Sequence, residues 1–177
     1  MAYIDLAREQ EQMPTAAEVA ARAGTSLRSI FQRFPSMADV GLAAFDHVLE
    51  QPILPPPAEV LRGDRATRIA FHVGFRGSIC ETWIPVWRVV TQARCDEMAK
   101  RVEILRGRTR ERVSLLFARE LEPLGSPQRT AILIAMEAVT DFDSWGRMRK
   151  DYGLSFDEAK DVWRETIDRI LPSEAGK

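Results

Sequence analysis

Arg28, Ser29 and Gln32 fall within one seven-residue stretch, Leu27-Arg28-Ser29-Ile30-Phe31-Gln32-Arg33. These are side chains that read nucleic-acid bases. A guanidinium donates as a fork to guanine O6 and N7, a carboxamide pairs with adenine N6 and N7, and a hydroxyl accepts or donates at several base edges. On a helix, Ile30 and Phe34 turn inward while Leu27, Arg28, Ser29, Gln32 and Arg33 face mainly outward. The competing reading of the same spacing is an ordinary helical hairpin whose exposed face carries no function.

Other chemistry finds little support. There is no glycine-rich phosphate loop, no His-Glu-x-x-His zinc motif and no Gly-x-Ser-x-Gly elbow. His47 and His72 are separated by a proline run and do not stand at metal-ligand spacing. Glu137 and Asp141, one helical turn apart, suit solvated or N-capping roles better than a catalytic pair. We therefore expect no enzyme, no cofactor and no metal.

The elements that must position the polar face begin at Thr15. Thr15 precedes Glu18 by three residues, a capping-box spacing that starts a short helix at Ala16. Val19, Ala20 and Ala23 form its expected buried face. Gly24 supplies the left-handed turn that ends it, and Ser26 caps the next helix. Pro35 stops that helix, and Ser36 with Asp39 opens a longer one carrying Val40, Leu42, Ala43 and Phe45. Helices this short are marginal alone. A short, exposed second helix after a tight glycine turn is the form that enters a DNA major groove.

The rest of the chain has a helical period throughout, and the fold class is all-α. Four prolines in Pro52–Pro57 end the N-terminal unit. The expected division is residues 1–51 and residues 58–172. In the second part we expect helices over about Asp64–Thr82, Ile84–Ala93, Asp96–Leu121, Pro127–Lys150 and Phe156–Leu171. Ser126 is the expected N-cap before Pro127, and Ser155 with Glu158 forms a second capping box.

Composition bounds the partners. Lys and Arg number 25 against 26 Asp and Glu, for a net charge of −1. Residues 1–51 carry seven acids against four arginines, so a global field does not drive DNA binding, although Thr15–Met37 holds three arginines and one glutamate. Cys80 and Cys95 suggest buried small apolar side chains rather than a disulfide. No apolar run reaches the ~20 residues of a spanning helix, and the N-terminus lacks a signal-peptide core. A soluble, cytoplasmic protein with no membrane partner is expected.

The Val19-Ala20 pair, the Ala23-Gly24-Thr25-Ser26 turn, Phe31 and the following Phe34-Pro35-Ser36-Met37 resemble the TetR/AcrR-type bacterial transcriptional regulators. Asp143-Ser144-Trp145-Gly146-Arg147-Met148-Arg149, Tyr152-Gly153-Leu154-Ser155 and Glu158-Ala159 resemble the end of the ligand domain in one branch of that family. The resemblance implies a three-helix helix-turn-helix DNA-binding unit, its first helix short here, followed by a helical ligand-binding and dimerisation domain. It implies a homodimer through the last two helices, a pseudo-palindromic double-stranded DNA operator, and release of the DNA by a small-molecule effector, as in a repressor. The family's DNA-contact positions fall on Thr15, Ala17, Leu27, Arg28, Ser29, Phe31, Arg33 and Met37. Arg28 and Ser29 are the foremost candidates for base contacts. Candidates for an apolar effector pocket are Phe71, Phe75, Trp83, Trp87, Met98, Met136 and Trp145, each of which also reads as plain core; His72 reads as a pocket group or as a satisfied interior histidine.

Three departures weaken the DNA contacts. Phe31 lacks the usual tyrosine hydroxyl, Met37 stands in place of a lysine, and the first helix, about Ala2–Gln10, is short. A truncated chain or a misassigned start codon would account for the last. A helical adaptor of the same fold that has lost DNA binding is the alternative.

Overall fold

A computed structural model describes residues 1–10, 12–52, 54–92 and 95–173. It is all-helical, with no strand among these residues. Two compact units form. The first contains residues 1–53 and 83–105, the second residues 54–82 and 106–177.

The first unit opens with α1 (Ala2–Gln10), α2 (Ala16–Ala23), α3 (Leu27–Arg33) and α4 (Met37–Glu50). Helix α1 packs on α2 and α4, and α2 on α3. Buried Tyr3, Ile4, Leu6, Val19, Ala20, Ile30, Val40 and Phe45 supply the core. Tyr3 sits so close to α4 that a Cβ at Gly41 would lie 3.3 Å from the phenol oxygen. Ala23, expected inside, is exposed, because the left-handed turn follows it immediately.

The first unit is larger than the expected 1–51, since residues 83–105 belong to it. Specific contacts hold them there. The Trp87 ring lies 6.5 Å from Phe45, the Arg8 guanidinium covers Trp83 at 4.9 Å, and Arg101 grips Asp46 through Nε and Nη2, both at 2.7 Å. A proline run marks where a helix must stop; it does not decide which later helix packs back.

The remaining elements are α5 (Ala58–Arg62), α6 (Arg65–Gln92), α7 (Asp96–Leu116), α8 (Ala118–Leu121), α9 (Ser126–Val139), α10 (Phe142–Gly146), a π turn (Arg147–Asp151) and α11 (Phe156–Ile170). Several differ from expectation. The single turn of α5 was not foreseen; Arg119 donates to its terminal carbonyls at Leu61, Arg62 and Gly63, satisfying groups a short helix leaves open. Pro85 lies inside α6 instead of starting a new helix. An interior proline removes one backbone bond at a cost of ~3 kcal/mol, and the neighbouring buried Val86, Trp87 and Val89 offset it by packing. Ile53 in the expected break and Ala93 at the expected helix end lie outside the described residues.

The helix expected through Leu121 breaks at Phe117, whose φ of −113° and ψ of 30° leave the α region. The helix expected through Lys150 stops at Val139. Thr140 turns out of the helix and Asp141 N-caps α10, accepting from Ser144 N at 2.6 Å. Gly125, not Ser126, is the N-cap of α9. Both expected capping boxes form, at Thr15/Glu18 and Ser155/Glu158. Cys80 is buried as expected, but Cys95 is exposed, and both are free thiols. Among the described residues, no helix is long and apolar enough to cross a membrane.

Within the second unit, α11 packs on α9 and on the π turn. Trp145 is fully buried between Phe156 and Trp163, whose rings lie 5.4 and 4.7 Å away. A Cβ at Gly77 would meet its indole at 3.0 Å, so glycine lets α6 approach α10. Its Nε1 donates to Glu81 at 2.7 Å, and Arg149 pairs with the same carboxylate at 2.9 Å.

Candidate nucleic-acid interface

Gly24 takes φ 64° and ψ 33° and its N–H bonds back to the carbonyls of Ala20 and Ala21. That left-handed residue ends α2 in a tight turn, as only glycine does without steric cost. Two residues later Ser26 starts α3, its hydroxyl accepting from Ser29 N at 3.1 Å. Phe34 closes α3 with an extended backbone.

Helix α3 has seven residues, and Ile30 is its one buried side chain. Leu27, Arg28, Ser29, Phe31, Gln32 and Arg33 are all exposed. Leu27 and Phe31 are 47% and 48% accessible, a large apolar exposure for so short a helix. Arg28 and Arg33 make no ion pair among the described residues. Arg33 does lean on Phe34, 5.7 Å from the ring centroid. By contrast Arg22 is committed to Glu9 through two bonds of 2.9 and 2.6 Å. Residues 19–38 contain no acid. The face therefore presents two uncompensated cations, two hydroxyl- or amide-bearing residues and two apolar groups, within a unit that is acidic as a whole.

Some candidate side chains are already engaged. The Thr15 hydroxyl donates to Glu18 Oε2 at 2.7 Å and receives Glu18 N at 3.3 Å. Thr15 N, which donates to the same Oε2 at 2.8 Å, and then the Thr15 hydroxyl hold the Glu18 carboxyl below its ordinary pKa. An ionised carboxylate beside Thr15 disfavours a phosphate there. Ser29 Oγ lies 2.9 Å from Ser26 Oγ, which draws it toward the cap. Ala17 is exposed and Met37 half-buried. Arg28 stands apart from these internal bonds.

The apolar effector candidates do not fall in one unit. Trp83, Trp87 and Met98 belong to the first, and Phe71, Phe75, Met136 and Trp145 to the second. Met98, Met136 and Trp145 are deeply buried. Phe71 and Phe75 are half-buried, nearly parallel rings 6.4 Å apart, and the Arg112 guanidinium lies 3.8 Å from the Phe75 centroid.

Sequence reasoning missed most of the polar interior of the second unit. Arg68, His72, Arg76, Arg112, Glu120 and Thr140 are all buried. Arg68 and Glu120 pair at 2.5 Å. Arg76 donates to the Thr140 carbonyl, a group the end of α9 leaves without a helical partner. One signal was available: Arg68, His72 and Arg76 recur every fourth residue on a long helix, beside the apolar Ile69, Val73 and Cys80. Glu137, considered with Asp141 as a pair, instead lies 3.4 Å from both Arg106 and Arg110.

No family model matches the chain, and no curated protein or solved structure is significantly similar to it.

Proposed function

We propose that the chain is a TetR/AcrR-type transcriptional regulator, in which α1–α3 form a helix-turn-helix unit and α3 enters the major groove of a pseudo-palindromic operator. The observation that carries this reading is the presentation of α3: one buried residue, six exposed ones, and two arginines without a carboxylate partner among the described residues. A helix kept short by Ser26 and Phe34 and stripped of internal ion pairs is suited to meet base edges and phosphates. Arg28 reads bases, Arg33 binds phosphate, and Leu27 offers apolar contact to a thymine methyl. A homodimer formed through α9 and α11 would repeat the face twice. Ile134 on α9 and Val162 on α11 are exposed at 52% and 45%, which supports an apolar contact there. Effector binding in the second unit would release the DNA, as in a cytoplasmic repressor.

The experiment is fluorescence polarisation of the full chain with DNA flanking its own gene. Binding should be dimeric, confined to a pseudo-palindrome, and weakened by salt in proportion to the phosphates neutralised. Absence of specific binding at low salt overturns the reading. A helical adaptor without DNA binding would then be favoured, on the engaged Thr15 hydroxyl and the apolar Phe31 and Met37.

A further inference from the structure

Among its described residues, the second unit buries positive charge that no acid pairs with. Arg76 and Arg112 are 6% and 9% exposed, and His72, one turn before Arg76 on α6, is fully enclosed. The chain treats Arg68, on the same face of α6, differently, placing Glu120 against it at 2.5 Å. Among the described residues Arg76 donates only to the neutral carbonyl of Thr140, at 2.8 and 3.2 Å, and Arg112 only to the neutral carbonyl of Leu54, at 2.6 Å. Asp141 feels the charge of Arg76, but its carboxyl caps α10 and burial pushes its pKa up, so it is a poor counter-ion.

Arg112 Nε and both ring nitrogens of His72 are buried and have no hydrogen-bond partner among the described residues. Unmet buried donors are rare in native proteins, and each costs free energy until an acceptor arrives. The groups are neighbours: the Arg112 guanidinium lies over Phe71 and Phe75, the residues one before and three after His72 on α6, and Arg76 follows His72 by one turn of that helix. Burial first, and then those charges, push the His72 pKa down to about 3, so at neutral pH the ring offers one N–H and one lone pair. Aromatic rings complete the surroundings. Phe75 and Phe71 lie 3.8 and 5.5 Å from the Arg112 guanidinium, Phe142 lies 5.5 Å from that of Arg76, and Phe117 stands edge-on to His72 at 6.0 Å.

The geometry points to a small organic monocarboxylate with an apolar body as the ligand of this unit, its two oxygens taken by Arg112 Nε and the His72 N–H and its body lodged among Phe71, Phe75 and Phe117. Two unmet donors match two carboxylate oxygens. Arg76 adds charge without a direct bond, and a guanidinium in a low-dielectric interior attracts an anion far more strongly than one in water. The inference deepens the effector-responsive reading above by naming the effector's chemistry, yet its binding step needs no DNA.

The test is calorimetry and thermal unfolding of the full chain with benzoate, phenylacetate and octanoate, each against its neutral amide at equal ionic strength. At least one acid should bind and raise the melting temperature, with its amide about tenfold weaker or more. Arg112→Met should weaken that acid about tenfold or more while retaining the helical circular dichroism. A second readout covers loss of fold in the variant: in the wild-type chain, labelled with ¹⁵N-histidine, the His72 ring resonances should shift when the acid is added. Failure of all three acids to bind, equal binding of an acid and its amide, or an unshifted His72 overturns the site. Acid binding without any operator binding leaves the site standing and removes the regulator; operator binding without acid binding does the reverse.

Discussion

Thr15 and Glu18 satisfy each other across the first turn of α2: the hydroxyl donates to the carboxylate at 2.7 Å, Thr15 N donates to the same oxygen at 2.8 Å, and Glu18 N returns a bond at 3.3 Å. This closed box makes Thr15 a cap before it is anything else. Thr15→Ala should therefore destabilise the chain by about 1 kcal/mol, read by urea denaturation. Glu18→Gln keeps a reciprocal acceptor but removes a negative charge beside the proposed DNA face. It should strengthen operator binding at low salt and lose that advantage as salt rises. If Glu18→Gln leaves polarisation curves unchanged at all salt concentrations, α2 does not approach phosphate.

Arg28 is exposed and has no carboxylate partner among the described residues, so its removal should not touch the fold. Arg28→Ala should keep the wild-type melting temperature and cost about 1–3 kcal/mol of operator binding, concentrated at one base position. Arg33→Ala should instead weaken all sequences alike and lower the salt slope by about one. A uniform loss on Arg28→Ala would make that residue a phosphate contact.

How far the sequence reached is visible residue by residue. The start of α2, the glycine turn, the exposed face of α3 and the caps at Ser26, Ser36, Thr15 and Ser155 were all legible, because each depends on neighbours within four positions. Breaks at Phe117 and Thr140 were not. They depend on partners distant in the chain, such as Arg76 reaching the Thr140 carbonyl across 64 positions. Pro85 misled for the same reason: local propensity argued for a break, and burial of its neighbours overrode it. The buried polar cluster was half legible. The fourfold spacing of Arg68, His72 and Arg76 was present, but charged residues on a helix usually signify solvent, and nothing local distinguishes a buried arginine from a wet one.

The two thiols should behave oppositely. Cys80 is fully buried, and burial pushes its pKa up to about 11, whereas Cys95 is exposed. Thiolate is the reactive form. A colorimetric disulfide reagent at neutral pH should titrate one thiol per native chain rapidly and the second only after denaturant is added. Two fast thiols in the native chain would place Cys80 at the surface.

Arg68 and Glu120 form a desolvated ion pair, with side chains 1% and 0% exposed, and Arg68 also donates to Gly63 O at 2.7 Å. Removing either charge strands the other. Glu120→Leu should cost about 3–5 kcal/mol. The double substitution Arg68→Met with Glu120→Leu should recover much of that loss, since two apolar groups of similar volume avoid the desolvation penalty. Additive losses in the double variant would mean that the two side chains contribute independently and are not coupled as an ion pair.

The neutral state of His72 has a consequence for acid stability. Its folded pKa is pushed from 6.5 down to about 3 by burial and by the Arg76 and Arg112 charges. The unfolded chain therefore binds a proton in this window that the folded chain refuses. The contribution of His72 is fully present above pH 6.5 and is lost as pH falls toward about 3. Glu9, Glu18, Glu81 and Glu97, all held below their ordinary 4.5, add losses of the same sign only at lower pH. Asp141, held above its ordinary value, acts in the opposite sense. The difference between wild type and His72→Leu isolates the histidine from all of these. Between about pH 4.5 and 6 the wild-type unfolding free energy should fall about 1.4 kcal/mol per pH unit more steeply than that of the variant. Parallel curves would show that the folded chain protonates His72 as readily as the unfolded one, and that the imidazole reaches water.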